Sequence, residues 1–361
     1  MPAYVARVAV VLAALLVVTA IARAQDTSLA GEWVTYRDRF VTDDGRVRDT
    51  GNDGVSHTEG QGWAMLFAES FDDRASFDRI WSWTRDKLKR PDSALFSWRW
   101  DPKDEKNPVA DPNNATDGDM LIAWALLRGA RRWHSRDYAV TAHRMLVEIR
   151  KKLIVRVGGR LVLLPGSAGF TAKDGTVLVN PSYYIYPALR EFPRIDRSSV
   201  WTWLLRDGLK LLAQARFGQW QLTPDWIAID KAGAITPASN PPPRFGFDAI
   251  RIPLYLVWGG EATPWRLASD IKFWDGFTDK PIPAWVDVTN GNIAPFPAPT
   301  GFQAIIQLAR AHSVAERALP TAKASPAAVT PPALPQIGDH DDYYSASLIL
   351  LAQLASSAVA H

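Results

Sequence analysis

Apolar residues recur at spacings of three and four through most of the chain, the signature of helices with one buried face. The pattern predicts helices over Gly62–Ala68, Ala75–Leu88, Met120–Trp133, Tyr138–Val155, Val200–Arg216, Phe247–Trp258, Pro264–Phe273, Gly301–Ala311 and Tyr343–Ala358. Weaker periodicity marks Leu29–Phe40 and Pro181–Phe192. The chain therefore reads as all-α, with about eleven helices. Two short runs, Leu161–Leu164 and Thr176–Val179, predict strands that pair as a small β-hairpin between helices. Short turns alternate with longer loops rich in Gly, Pro and Asp: Asp101–Asn114, Thr223–Arg244 and Asp275–Pro299. This predicts helical hairpins stacked in a ring or solenoid, with short structural loops on one side and functional loops on the other. No sequence repeat of fixed period is present, so a TPR- or HEAT-type array is not supported.

The N-terminus changes the picture first. Arg7 precedes an apolar run, Val8 to Ile21, broken only by Thr19, and Ala22-Arg23-Ala24 follows. This is the pattern of a secretory signal peptide over residues 1–24, cleaved after Ala24. The alternative is an uncleaved N-terminal anchor. No later run is apolar for long enough to span a bilayer. The mature chain, 25–361, is expected to be one domain in the periplasm or outside the cell. The Pro- and Ala-rich stretch 318–337 reads as an excursion within that domain, because the apolar helix beyond it must dock back.

Charge and composition narrow the chemistry. The leader takes two of the 41 basic residues and none of the 38 acidic ones, so the rest is nearly neutral despite a sequence pI of about 9.0. Neither nucleic acid nor a membrane surface is an expected partner of the mature chain. Arg150-Lys151-Lys152 reads as a solvated helix face. With no cysteine, thiol nucleophiles and Cys-based metal sites are excluded, and an exported chain must hold together by its core. Sixteen tryptophans are more than a core requires; those with polar flanks suit flat ligand platforms.

Two Gly-rich turns each place a carboxylate where a helix begins: Ser56-His57-Thr58-Glu59-Gly60-Gln61-Gly62 and Asn114-Ala115-Thr116-Asp117-Gly118-Asp119. Such an acid is either a helix cap or a chemical group held at the mouth of a helical scaffold. Paired acids in a Trp-rich chain point to glycoside hydrolysis, which uses two carboxylates in different roles. A third acid, Asp248, opens an apolar helix after a Pro-rich loop, with Arg251 one turn later as its charge partner. Asp119 reads as a first-turn acid complementing the helix dipole. Trp98 and Trp100 alternate with polar residues, which puts both rings on one face of an extended segment. They read either as sugar platforms or as a half-buried strand. Asn114-Ala115-Thr116 forms a glycosylation sequon that coincides with the acid-bearing turn. His340-Asp341-Asp342 lacks metal-ligand spacing. Gly-x-Ser-x-Gly, a phosphate loop and a dinucleotide fingerprint are absent.

These two turns, together with Asn180-Pro181-Ser182-Tyr183-Tyr184, Phe247-Asp248-Ala249-Ile250-Arg251 and Tyr343-Tyr344-Ser345, resemble glycoside hydrolase family 8. Within it they are most similar to the endoglucanase type found beside bacterial cellulose synthases. The five pieces fall in family order and span nearly the whole mature chain. The resemblance implies an (α/α)6 barrel and inverting, cofactor-free, metal-free cleavage of β-1,4 links. It implies Glu59 as general acid, Asp248 as general base and Asp117 as the group holding the sugar at the cleavage point. Tyr183 or Tyr184 would orient the attacking water, and Arg251, Trp98 and Trp100 would bind substrate. The expected partner is a β-1,4-glucan, with the cellulose synthase export complex as a further one. Xylanase or chitosanase activity, or a non-catalytic glycan-binding role, are the alternatives. An inverting pair leaves room for a water, which sets about 6.5–9.5 Å between its carboxyl groups.

Overall fold

The computed structural model describes residues 29–318 and 333–359. The expected leader and most of the Pro/Ala-rich stretch lie outside these residues. Eleven helices occur among those described: α1 (29–40), α2 (Thr58–Ser70), α3 (Arg74–Leu88), α4 (Thr116–Arg132), α5 (Arg136–Lys152), α6 (Tyr186–Glu191), α7 (Val200–Gln214), α8 (Arg251–Trp258), α9 (Pro264–Asp275), α10 (Thr300–Ala318) and α11 (Tyr343–Val359).

Two kinds of helix follow from two kinds of sequence. In α3, Asp73 caps the first turn by accepting the Ser76 amide at 3.0 Å, and Phe77, Ile80, Trp81, Thr84 and Leu88 form a single buried stripe. In α5, Ser135 caps the start and Tyr138, Ala142, Met145, Leu146 and Ile149 do the same. Their remaining faces are polar, so they belong on the outside. By contrast α2, α4, α8 and α11 are buried on almost every side. The contacts close these helices into an inner ring: α2 packs on α4, α4 on α6, α6 on α8, α8 on α10 and α11, α10 on α11, and α11 on α2. Helices α3, α5 and α7 back onto α2, α4 and α6, and α9 onto α10. This is the (α/α)6 barrel that the resemblance implies. The chain re-enters the described residues beside this core: the Ile337 amide donates to Glu32 at 2.8 Å and Gln353 to the Pro335 carbonyl at 2.9 Å.

The strands depart from expectation. Leu161–Leu164 and Thr176–Val179 do not pair with each other. Instead β3 (Ile154–Val157) pairs with β4 (Arg160–Leu163), and β5 (Val177–Val179) pairs with β6 (Ile227–Ile229), which also binds β7 (Ile235–Pro237). The physical reason is Gly158-Gly159, whose positive φ angles of 53° and 80° make the two-residue turn that hairpins favour. That turn claims Leu161–Leu163 for the strand just before it. Helix α5 accordingly ends at Lys152, three residues short of the predicted Val155. The predicted helix 181–192 is a 3₁₀ turn, Pro181–Tyr183, followed by the short α6. The helix predicted from Phe247 begins at Arg251, with 247–250 forming a turn.

Candidate active site

The inner helices present their N-termini to one pocket. Glu59 lies in the first turn of α2, Asp117 in the first turn of α4, and Asp248 in the turn leading into α8. Tyr183 ends the 3₁₀ turn before α6. Glu59, Asp117, Asp248, Arg251, Tyr183 and Trp98 line a common pocket of about 230 Å³. Helix N-termini carry unsatisfied N–H groups and partial positive charge, so the scaffold itself favours carboxylates here.

The motif glycines are what allow this convergence. A Cβ on Gly118 would sit 2.1 Å from Thr58 Oγ1 and 2.8 Å from the Glu59 amide nitrogen, and one on Gly62 would lie 2.5 Å from Leu121 Cβ. Only a bare backbone lets the starts of α2 and α4 touch, and that contact brings Glu59 and Asp117 together. His57 caps α2: its Nδ1 accepts the Gly60 amide at 3.2 Å while Nε2 faces Asp49 Oδ2 at 3.3 Å. The neighbouring strands β1 (Ser56–His57) and β2 (Arg99–Trp100) pair, and the Thr58 amide donates to the Trp98 carbonyl at 3.0 Å. The Trp98 segment is thereby fixed to the turn that carries Glu59.

Arg251 is the hub of the site. It is buried, and its Nη2 lies 3.1 Å from Glu59 Oε1, 2.9 Å from Asp248 Oδ1, 3.1 Å from Ser182 Oγ and 4.0 Å from Asp117 Oδ2. Nη1 donates to the Phe247 carbonyl at 3.2 Å and to the Tyr344 hydroxyl at 3.3 Å. The pairing of Asp248 with Arg251 read from the sequence is present, but the same guanidinium serves all three acids. By the triangle inequality the facing oxygens of Glu59 and Asp248 lie no more than 6.0 Å apart, a bound on the nearest atoms and not on the ~6.5–9.5 Å between carboxyl groups that an inverting pair uses.

Three carboxylates around one guanidinium cannot all be ionised in a buried site. Glu59 is pushed well above the ordinary Glu range, first by burial and then by Asp117 and Asp248, against the pull of Arg251. Asp117 is also raised, chiefly by burial, while its hydrogen bond with Glu59 and the Gly118 amide pull it down. Glu59 is thus the carboxyl more strongly biased toward its protonated form, with Asp117 as the acceptor of the hydrogen bond between them. Asp248 is the most open of the three, with 30% of its side chain exposed. Its two oxygens face Arg251 and the indole N–H of Trp226, the latter at 3.2 Å.

Several residues stand elsewhere than the sequence reading placed them. Tyr184 is not a pocket residue: it is buried against Gly208, and its hydroxyl accepts the Leu163 amide at 3.1 Å. Tyr183 is the one that faces the acids, whose charges, after burial, raise its hydroxyl pKa. Trp100 is not brought to the pocket either. It packs edge-on against Trp83 at 5.6 Å with the Arg46 guanidinium over it at 5.0 Å. Trp98 borders the pocket and ties its indole N–H to Asp111 at 2.8 Å. Asp119 lies in the first turn of α4 as expected, and is fully buried there as a bracket between segments. It accepts the Phe96 amide at 3.0 Å and the Asn114 amide group at 2.9 Å, and burial pushes it up to about 8. Sequence reasoning missed Asp225 and Trp226, which hold Asp248 from a loop with no recognisable spacing. Among the described residues no cluster of His, Asp and Glu suits a metal ion.

The sequence profile described as "Glycosyl hydrolases family 8" matches residues 3–358. A protein of Novacetimonas hansenii named "Probable endoglucanase" is 41% identical over 329 residues, covering 91% of each chain. The "Endoglucanase" of Cellulomonas uda is 38% identical over 348 residues, covering 95% of this chain and 94% of its own. Among solved structures, the endo-beta-1,4-glucanase CMCax from Acetobacter xylinum superposes with a TM-score of 0.83 at 39% identity, covering 93% of this chain and all of that one.

Proposed function

The chain belongs to glycosyl hydrolase family 8, and from that membership and the carboxylate cluster we propose that it is an endo-β-1,4-glucanase acting with inversion. The observation that carries the reading is the placement of Glu59 and a more open Asp248 in one pocket, both held by the Arg251 guanidinium. In this reading the glucan enters between them, with a water on the Asp248 side. Glu59 gives its proton to the leaving glycosidic oxygen as the C1–O bond breaks. Asp248 takes a proton from the water that bonds to C1 from the opposite face, leaving a hemiacetal of inverted configuration. Asp117 hydrogen-bonds the sugar at the cleavage point and inherits the charge relation with Glu59. Tyr183 is placed to orient the water. No cofactor or metal takes part.

An uncharged polymer must be held by stacking and hydroxyl hydrogen bonds, and Trp98 supplies a stacking face. Trp98→Ala is expected to raise KM for long glucans by about 1–2 kcal/mol of lost binding, with the melting temperature nearly unchanged. Trp100→Ala is expected to lower the melting temperature while KM stays near wild type, because its ring packs on Trp83 and Arg46. Kinetics and thermal melts on the two variants check this contrast.

Product release from carboxymethylcellulose, xylan and chitosan, measured in parallel, tests the substrate. Cleavage of the cellulose derivative well ahead of the others is expected. A preference for xylan or chitosan would overturn the substrate assignment, and no release from any would leave a glycan-binding role. The resemblance also supports an exported enzyme that trims cellulose beside its synthase complex. No helix among the described residues is long and apolar enough to cross a membrane.

A further inference from the structure

Asp225 and Trp226 precede β6 and face Asp248 from the loop Thr223–Arg244. One oxygen of Asp225, Oδ1, accepts three backbone amides of the Asp248 turn: Gly246 at 3.1 Å, Asp248 at 3.1 Å and Ala249 at 2.7 Å. The Asp225 amide in turn donates to the Arg244 carbonyl, just ahead of that turn. Trp226 reaches the other end of the same residue, its indole N–H 3.2 Å from Asp248 Oδ2. The Trp226 ring is held by Phe170, stacked at 6.0 Å and 8°, and edge-on by Tyr183 at 6.1 Å. The turn keeps only a few backbone bonds of its own, among them the Ile250 amide to the Gly246 carbonyl at 3.0 Å and the Arg251 amide to the Asp248 carbonyl at 3.1 Å, so a base carried there gains from outside support.

We propose that Asp225 and Trp226 are positioning residues for Asp248, Asp225 fixing the backbone of its turn and Trp226 the direction of its carboxylate. The proposal rests on the reading of Asp248 as general base. It assigns the loop Thr223–Arg244 a part in the reaction without contact with the reacting atoms. Asp225 is half-buried; desolvation first, then Asp248, pushes it up to about 7, against the backbone amides and Arg251. The raised pKa biases it toward the neutral form at acidic pH, and the amide of Asn, which keeps an acceptor oxygen, is a close stand-in.

Four variants test this on soluble cellulose derivatives. Asp225→Ala is expected to lower kcat by about 10- to 100-fold, as misplacement of a reacting group does, with KM little changed. Asp225→Asn is expected to recover most of that loss below pH 7. Trp226→Phe, which keeps the ring and removes only the N–H, is expected to lower kcat by about tenfold while retaining the wild-type melting temperature. Asp248→Asn is the separate control: if it keeps activity, the base assignment itself fails. If Asp248→Asn is inactive but Asp225→Asn is no better than Asp225→Ala, or Trp226→Phe keeps wild-type kcat, the positioning proposal fails alone. Should Asp225→Ala not fold, Trp226→Phe and Asp225→Asn still decide: wild-type kcat in Trp226→Phe, or a folded Asp225→Asn that is inactive below pH 7, overturns it.

Discussion

Glu59→Gln is expected to lower turnover on an unactivated β-1,4-glucan by about 10²–10⁴-fold, the usual worth of general acid catalysis. The amide keeps the shape of the side chain and can still meet Arg251 and Asp117, so folding should change little. What it lacks is a proton to give. The leaving group decides the size of the effect: an aryl glycoside with a good leaving group needs no protonation, so the variant should lose far less activity on it. The wild-type pH profile carries the same assignment. A general acid works only while protonated, so activity is present below the Glu59 pKa and is lost as pH rises through it. Because burial sets that value well above the ordinary Glu range, the alkaline limb should fall well above pH 4.5. Near-wild-type turnover of the variant on glucan, or an equal loss on both substrates, would contradict the assignment.

Arg251→Met is expected to abolish measurable glucanase activity and to destabilise the fold by about 3–5 kcal/mol at neutral pH, the cost of stranding buried charge by removing its partner. The sign of its pH dependence follows from the acids left behind. A carboxyl whose folded pKa lies above its unfolded value holds more protons when folded, so stability falls as pH rises between the two values. Without Arg251, Glu59 and Asp117 are raised further, and their penalty grows with pH. The gap in melting temperature between wild type and Arg251→Met should therefore be small near pH 4.5 and large near pH 8. A gap that does not widen with pH would mean that the guanidinium is not what offsets the charge of these acids. The partner groups on the page make a wide gap the natural outcome, since the only cation within 4 Å of Glu59 and Asp117 among the described residues is this one.

How far the sequence could be read depended on whether a constraint was local. Glu59 and Asp117 stood out because a carboxylate, a helix start and a glycine lie within four residues of each other, and the glycines turn out to be the close-approach points between α2 and α4. The ring of helices was visible in the apolar periodicity because core packing dominates each long helix. The strands were misread where two local signals competed. The apolar spacing of α5 runs on through Leu153 and Val155, and it outweighed Gly158-Gly159, which sets the hairpin. Tyr183 and Tyr184 were indistinguishable because the 3₁₀ turn that points one to the acids and the other to the Leu163 amide depends on Pro181 and on tertiary contacts. Trp100 shares its alternation with Trp98, yet its neighbours Trp83 and Arg46 are remote in sequence. Asp225 and Trp226 were invisible for the same reason: they hydrogen-bond the Asp248 turn across more than twenty residues of chain, and nothing in their immediate neighbourhood marks it.

The anomeric configuration of the first product tests the central claim most directly. Proton NMR of cello-oligosaccharide hydrolysis, followed before mutarotation, reports which anomer forms at the new reducing end. With Glu59 as acid and Asp248 as base on opposite faces, the β-link should yield the α-anomer first, with the β-anomer appearing later as the two equilibrate. Initial release of the β-anomer would show that the shared-guanidinium spacing reflects a retaining pair, and would contradict the account of Asp248 as the residue that activates water.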